Sequence, residues 1–247
     1  MKIIGVIPAR FASTRLPGKP LKSIAGKPLL QWVIEGAQKS KKLTEVLVAT
    51  DHSEIFELAM RCGAKAVMTD SALPSGSDRI FAAIQGRDVD FVVNIQGDEP
   101  LVQGEMIDSL VESMLQDSNV QMATLCADLD LNELENLNVV KLITDKNFNA
   151  LYFSRFPIPH SRVKPTTESE IICYRHLGMY AYTAKFLKEF CSAPPALLEI
   201  NESLEQLRAL YLGAKIKVVK TNFESHGVDT LDDVMKIEKI LNSRKGL

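Results

Sequence analysis

Four short apolar runs rich in β-formers recur in the first part of the chain: KIIGVI (Lys2 to Ile7), EVLVAT (Glu45 to Thr50), KAVM (Lys65 to Met68) and DFVVNI (Asp90 to Ile95). Amphipathic stretches such as PLLQWVIEGAQKS and SEIFELAMRCG, with apolar residues at helical spacing, lie between them. Short hydrophobic strands alternating with helices are the pattern of βαβ units, whose parallel strands are buried on both faces. The first half therefore predicts an α/β fold with a doubly wound, mostly parallel sheet. Gly104 to Gln116 continues as helix and Gln121 to Ala127 as strand, and then the rhythm changes. VVKLIT, ALYFSR and HLGMYAYT follow with no helix between the first two, which predicts a smaller inserted antiparallel subregion or an edge layer. SRVKPTTESE (Ser161 to Glu170) is polar and reads as a surface loop. Two helices (Ala184 to Cys191, Asn201 to Leu212), a strand (Lys215 to Lys220) and a last helix from Thr230 close the chain. With no internal repeat or low-complexity linker, the expectation is a single domain over residues 1–247 with the inserted subregion at about 128–200.

Composition narrows the function classes. At 247 residues and 46% hydrophobic, the chain can bury a substantial core. Lys plus Arg number 29 against 31 Asp plus Glu, so no basic excess points to nucleic acid or an anionic membrane. The apolar start stops at Pro8 and Arg10, shorter than the ~7–15 residues of a signal h-region, and no later stretch approaches the ~18 residues of a membrane span. Cys62, Cys126, Cys173 and Cys191 lie far apart without a CxxC pair, which reads as reduced, mostly core thiols in a cytoplasmic protein.

The first strand runs into PARFASTRLPGKP, where Arg10, Arg15 and Lys19 sit among Pro, Gly, Ser and Thr. In an open parallel sheet, ligands bind beyond the carboxyl ends of the strands, and three cations on a loop there suit a triphosphate better than a merely solvated surface. It is not a Walker A loop: Gly18-Lys19 and Gly26-Lys27 are each followed by Pro, and no GxGxxG follows the strand. The fourth run ends in VVNIQGDEP, so Asp98 faces the same crevice. It is either a Mg2+ ligand beside phosphate oxygens or a turn cap. In HGVDTLDDV, Thr230, Asp232 and Asp233 are explained by capping the last helix. Asp229 is not, and is the better candidate to complete a metal site.

The chain resembles the 3-deoxy-manno-octulosonate cytidylyltransferases (CMP-Kdo synthetases) of the nucleotide-sugar transferase superfamily. The resemblance runs nearly end to end through IPARFASTRLPGKPL, VATD, SGSDR, NIQGDEP, ALYFSR, HLGMYAY, LEQLRAL and GVDT, in that order. It implies transfer of a cytidylyl group from CTP to the anomeric hydroxyl of Kdo, an eight-carbon acidic sugar, with release of pyrophosphate. In such enzymes Arg10, Arg15 and Lys19 would hold the triphosphate, and Ala9, Ser75, Gly76 and Arg79 would line the cytosine pocket. Asp98 and Asp229 would bind Mg2+. Gln96, Arg155, His176, Tyr180, Glu205 and Gln206 would form the sugar site, with Arg155 facing the substrate carboxylate. Arg10, Lys19, Asp98 and Asp229 would carry the catalysis. A cytoplasmic homodimer, joined through the irregular middle region, is also implied.

By residue pattern alone these sugar contacts have plainer readings. A His inside an apolar strand, as His176 is, is by default a satisfied core residue. Leu204, Leu207 and Leu210 form the buried stripe of an amphipathic helix, which leaves Glu205 and Gln206 on its solvated face. Tyr180 and Tyr182 alternate with Met179 and Ala181, so one strand face is core and the other open to a site. His52, His160 and His226 show no metal-ligand spacing. SGSDR and GVDTLDDV depart from the family pattern at Ser77, Asp78 and Leu231, changes that leave the chemistry intact; the sequence does not separate Kdo from its 8-amino analogue.

Overall fold

The computed structural model describes residues 1–12, 16–163, 165–223 and 225–245. They form two compact units, Met1–Asp108 with Glu224–Leu247, and Ser109–Phe223.

In the first unit β1 (Ile3–Ala9) is followed by a 3-10 turn (Lys19–Leu21), a two-stranded ribbon of β2 (Ser23–Ile24) and β3 (Lys27–Pro28), and α1 (Leu29–Ala37). Then come β4 (Glu45–Thr50), α2 (Ser53–Arg61), β5 (Lys65–Met68), α3 (Gly76–Ile84) and β6 (Phe91–Asn94). The four apolar runs are thus β1, β4, β5 and β6. They pair in parallel in the order β6-β1-β4-β5, as the βαβ pattern requires. β1 and β4 are almost continuously buried, the burial expected of strands covered on both faces. Helix α3 was not legible as a separate periodic stretch, but its cap is in the sequence: Ser75 Oγ accepts the Asp78 N–H at 3.1 Å and donates to Asp78 Oδ2 at 2.7 Å. Gly97 follows β6 closely, and a Cβ there would sit 2.7 Å from the Pro8 carbonyl oxygen, so only glycine lets the loop after β6 approach the end of β1 this far.

Helix α4 (Gly104–Leu115) begins in the first unit and ends in the second. The second unit contains β7 (Met122–Ala127), β8 (Lys141–Thr144), β9 (Ala150–Ser154) and β10 (Tyr174–Thr183). Helices α5 (Ala184–Ser192), α6 (Leu197–Glu202) and α7 (Gln206–Tyr211) and strand β11 (Ile216–Lys220) complete it. β8 is antiparallel to both β9 and β10, and β10 is antiparallel to β7, so the change of rhythm did mark antiparallel pairing. β11 lies parallel to β7. The single helix expected over Asn201 to Leu212 is instead two. Ser203 adopts a left-handed conformation with φ 51°, which ends α6, and the chain restarts as α7.

The last helix, α8 (Leu231–Lys245), belongs to the first unit. Val234, Ile237 and Leu241 pack with Leu16, Ile24, Leu29, Leu101 and Val228, and Glu238 Oε1 accepts the Ala25 N–H at 2.9 Å. Thr230 caps it as expected, exchanging hydrogen bonds with Asp233. Among the described residues no helix is long and apolar enough to cross a membrane. All four cysteines are free, but only Cys126 and Cys173 are fully buried; Cys62 and Cys191 are half-buried, so the thiols are less uniformly core than expected.

Candidate active site

The first unit holds a polar cavity of about 300 Å³ at the carboxyl ends of β1 and β6. Ala9, Arg10, Lys19, Ser75, Gly76, Arg79, Gln96, Asp98 and Asp229 line it. Arg15 lies outside the described residues. The backbone reaches this arrangement because Gly18, with φ 65°, turns the chain into the 3-10 turn that begins at Lys19.

Lys19 Nζ donates to Asp98 Oδ2 at 2.7 Å and to Asp229 Oδ1 at 3.0 Å, so one ammonium joins both acids. The Val228 N–H donates to the Asp98 carbonyl at 2.9 Å and sets the two carboxylate-bearing segments side by side. Asp233 Oδ2 then accepts the Asp229 N–H at 3.0 Å, fixing Asp229 at the start of α8. Burial opposes the charge on Lys19, yet Asp98 and then Asp229 outweigh it and hold its pKa above the ordinary lysine value. Burial likewise opposes ionisation of Asp233, but hydrogen bonds from the Asp229 N–H and from Thr230 hold its carboxyl below the usual range.

Asp98 and Asp229 remain partly open to solvent, with side chains 32% and 42% exposed. Among the described residues no group of three or more His, Cys, Asp or Glu is placed to hold a metal. Mg2+ does not require one: it takes one or two carboxylates and completes its shell with water and phosphate oxygens. The convergence of both acids on one cation is the observation that makes this donor set fit Mg2+, with the Lys19 ammonium standing in for the positive charge.

Ser75 and Gly76 lie at the start of α3, with Ser75 as its cap and Gly76 as its first residue, and both line the cavity. Arg79, one turn further, is only 3% exposed and donates through Nη1 to Thr69 Oγ1 at 2.5 Å.

The second unit gathers most of the residues expected to touch sugar. His176 and Tyr180 have ring centroids 5.5 Å apart, and Phe153 meets His176 edge-on at 5.0 Å. A register shift in β10 between Leu177 and Tyr180 is filled by Thr124, whose hydroxyl donates to the Met179 carbonyl at 2.9 Å. With its one proton spent there, Thr124 Oγ1 accepts from His176 Nε2 at 3.0 Å, which leaves Nδ1 as the acceptor of the ring. Burial pushes the His176 pKa down to about 3, so the imidazole is neutral at pH 7. Burial, and then the Glu205 charge, raise the Tyr180 phenol.

Arg155 follows β9, and its guanidinium donates to main-chain carbonyls: Nε to Glu202 at 2.8 Å, Nη1 to Leu137 at 3.2 Å and Nη2 to Ser203 at 3.3 Å. Its N–H donates to Glu202 Oε2 at 2.9 Å. Gln206 is 5% exposed, so the solvated face predicted for it by helical pattern is corrected: α7 is buried at four successive positions, Gln206 to Ala209, rather than along one stripe, while Leu210 of the expected stripe is only half-buried. Lys141 is completely buried, and its Nζ donates to the carbonyls of Asn136, Val139 and Arg155 at 2.7, 2.9 and 2.7 Å. Lys141 and Thr124 were not singled out in the sequence, where each reads as an ordinary strand residue.

The cytidylyltransferase family profile matches residues 4–216. The 3-deoxy-manno-octulosonate cytidylyltransferase of Bdellovibrio bacteriovorus is 56% identical over 245 residues, covering 99% of each chain. The chain belongs to the 3-deoxy-manno-octulosonate cytidylyltransferase family. The family member from Chloroherpeton thalassium is 46% identical over 244 residues, covering 98% of each chain. A solved structure of CMP:2-keto-3-deoxy-manno-octonic acid synthetase complexed with CTP superposes with a TM-score of 0.92 at 35% identity, covering 99% of this chain and all of the other. As in that family, the fold is mixed α/β with a parallel sheet at its centre.

Proposed function

We propose that this chain transfers the cytidylyl group of CTP to Kdo, giving CMP-Kdo and pyrophosphate, and so activates Kdo for lipopolysaccharide synthesis. The observation that carries this reading is the Lys19–Asp98–Asp229 cluster lining the polar cavity, in a chain 56% identical to a 3-deoxy-manno-octulosonate cytidylyltransferase. A cytoplasmic homodimer is part of the same proposal.

The anomeric hydroxyl oxygen forms a bond to the α-phosphorus, the bond from that phosphorus to the bridging oxygen breaks, and the hydroxyl proton leaves to solvent. An alcohol must approach an anion, so the phosphate charge has to be neutralised and the reactants aligned. Arg10 and Lys19 supply fixed positive charge to the triphosphate and to the departing pyrophosphate. Ala9, Ser75, Gly76 and Arg79 hold the cytidine end. Asp98 and Asp229 would hold Mg2+, which when bound neutralises phosphate charge and lowers the pKa of a coordinated hydroxyl. Sugar recognition falls to Gln96, Arg155, His176, Tyr180, Glu205 and Gln206. His176 acts there as a neutral hydrogen-bond acceptor through Nδ1, since a pKa of about 3 leaves it uncharged.

Pyrophosphate release with CTP and Mg2+ tests the proposal, run in parallel with Kdo, its 8-amino analogue and a sialic acid. Release with Kdo supports it. Release with the sialic acid alone keeps the reaction and overturns the sugar, and no release with any of the three overturns the function.

A further inference from the structure

The residues just after β4, Asp51 and His52, have no part in the reaction as described above. The Asp51 side chain is 8% exposed and makes two contacts, one with the residue after Arg10 and one with Arg79; Arg10 and Arg79 both line the nucleotide cavity. Its Oδ1 accepts the Phe11 N–H at 3.0 Å, and Phe11 directly follows Arg10. Its Oδ2 accepts from Arg79 Nη2 at 3.4 Å, while Thr69 Oγ1 takes the other arm of the same guanidinium. The His52 ring stacks on Phe11, with centroids 4.0 Å apart and planes 12° from parallel. Two adjacent residues at the end of one strand thus brace the loop after β1, and one of them also fixes the side chain that lines the cavity from α3.

A guanidinium that is 97% buried needs an anion or several acceptors to stay charged and in one orientation. With Asp51 and Thr69 holding its two terminal nitrogens, the rotation of the planar fork is fixed and its remaining N–H groups keep one direction. Such a fork fits neighbouring acceptors, as on the O2 and N3 edge of cytosine. Uracil presents N–H at N3 and fits it less well.

We propose that Asp51 is a positioning residue of the nucleotide site: it holds the Arg79 guanidinium and the Phe11 backbone in the one arrangement that receives the cytosine of CTP. This rests on the CTP reading given under Proposed function. The test is calorimetric binding of CTP and UTP without sugar, so that it does not depend on turnover. Asp51→Asn keeps the shape but loses the charge and turns an NH2 toward either Arg79 or the Phe11 N–H. The expected result is a CTP Kd raised about tenfold or more with a reduced CTP-over-UTP preference, the loss of one charged hydrogen bond. Adding Arg79→Lys to Asp51→Asn should then raise the Kd by less than the product of the two single effects, because the Arg79 arm is already lost while the Phe11 arm acts separately. An unchanged CTP Kd in Asp51→Asn, or effects of the two substitutions that multiply, overturns the inference. If Asp51→Asn does not fold, Asp51→Glu, which keeps the buried charge but displaces it by one methylene, decides in the same way: a raised CTP Kd supports the inference and an unchanged one overturns it. Wild-type protein that binds CTP yet releases no pyrophosphate overturns the proposed reaction while the variants still decide the role of Asp51. Wild-type protein that binds no CTP overturns both.

Discussion

Lys19 Nζ lies 2.7 Å from Asp98 Oδ2, across 79 residues of sequence, and the same ammonium reaches Asp229 at 3.0 Å. Two carboxylates brought this close repel each other unless a cation sits between them. The cluster therefore holds in place both acids that the proposed chemistry needs, and leaves each open enough to meet a ligand.

Asp98→Asn keeps the shape and removes the charge. Because the side chain is partly solvated and Lys19 retains Asp229, the fold should persist with an unchanged far-ultraviolet circular dichroism spectrum. Pyrophosphate release should fall on the order of 100-fold or more, the loss of several kcal/mol of charge stabilisation. Wild-type turnover would remove Asp98 from the proposed Mg2+ site.

Arg155→Ala should act twice. Losing the guanidinium leaves the carbonyls of Glu202, Leu137 and Ser203 without that donor and lowers stability by about 1–3 kcal/mol, read as a shift in urea midpoint. In the folded enzyme the KM for Kdo should rise while that for CTP stays constant. An unchanged Kdo KM would assign Arg155 to structure alone.

His176 makes stability depend on pH. Its pKa is lowered by burial from the usual histidine value to about 3, so the folded state keeps it neutral where the unfolded chain would take up a proton. The stability is fully present above pH ~6.5 and should decline by up to about 1.4 kcal/mol per pH unit as the pH falls from there towards 3. Urea titrations across that window measure the slope, and His176→Asn should flatten it by about one proton. An unaltered slope would show that His176 titrates normally.

Burial pushes the Cys126 thiol up to about 12, so at pH 8 it carries almost no thiolate. Alkylation of native protein, mapped by mass spectrometry, should leave Cys126 unmodified and label it fully after denaturation. Rapid labelling of the native protein at Cys126 would contradict the buried environment assigned to β7.

The periodic elements were legible because their signal is local. β4 and β5 begin and end where their apolar runs do, and Thr230 with Asp233 marks the start of α8. The break between α6 and α7 was not legible, because nothing in ESLEQ signals the left-handed turn at Ser203 as a glycine would. The burial of Gln206 was not legible either, because α7 is enclosed at four successive positions and local periodicity signals only one buried stripe.

By itself the sequence determined most of the strands and, with the exception of α3 and the α6–α7 break, the strongly periodic helices, and that cations and acids fall just beyond strand ends, since both follow from spacing within about ten residues. The meeting of Lys19 with an acid 210 positions away, the clamp of Asp51 on Phe11 and Arg79, and the enclosure of Lys141 by three carbonyls were decided only by tertiary structure. Such contacts depend on sheet order and on which loops are drawn to the same edge. Those are products of long-range packing and leave no period in the chain.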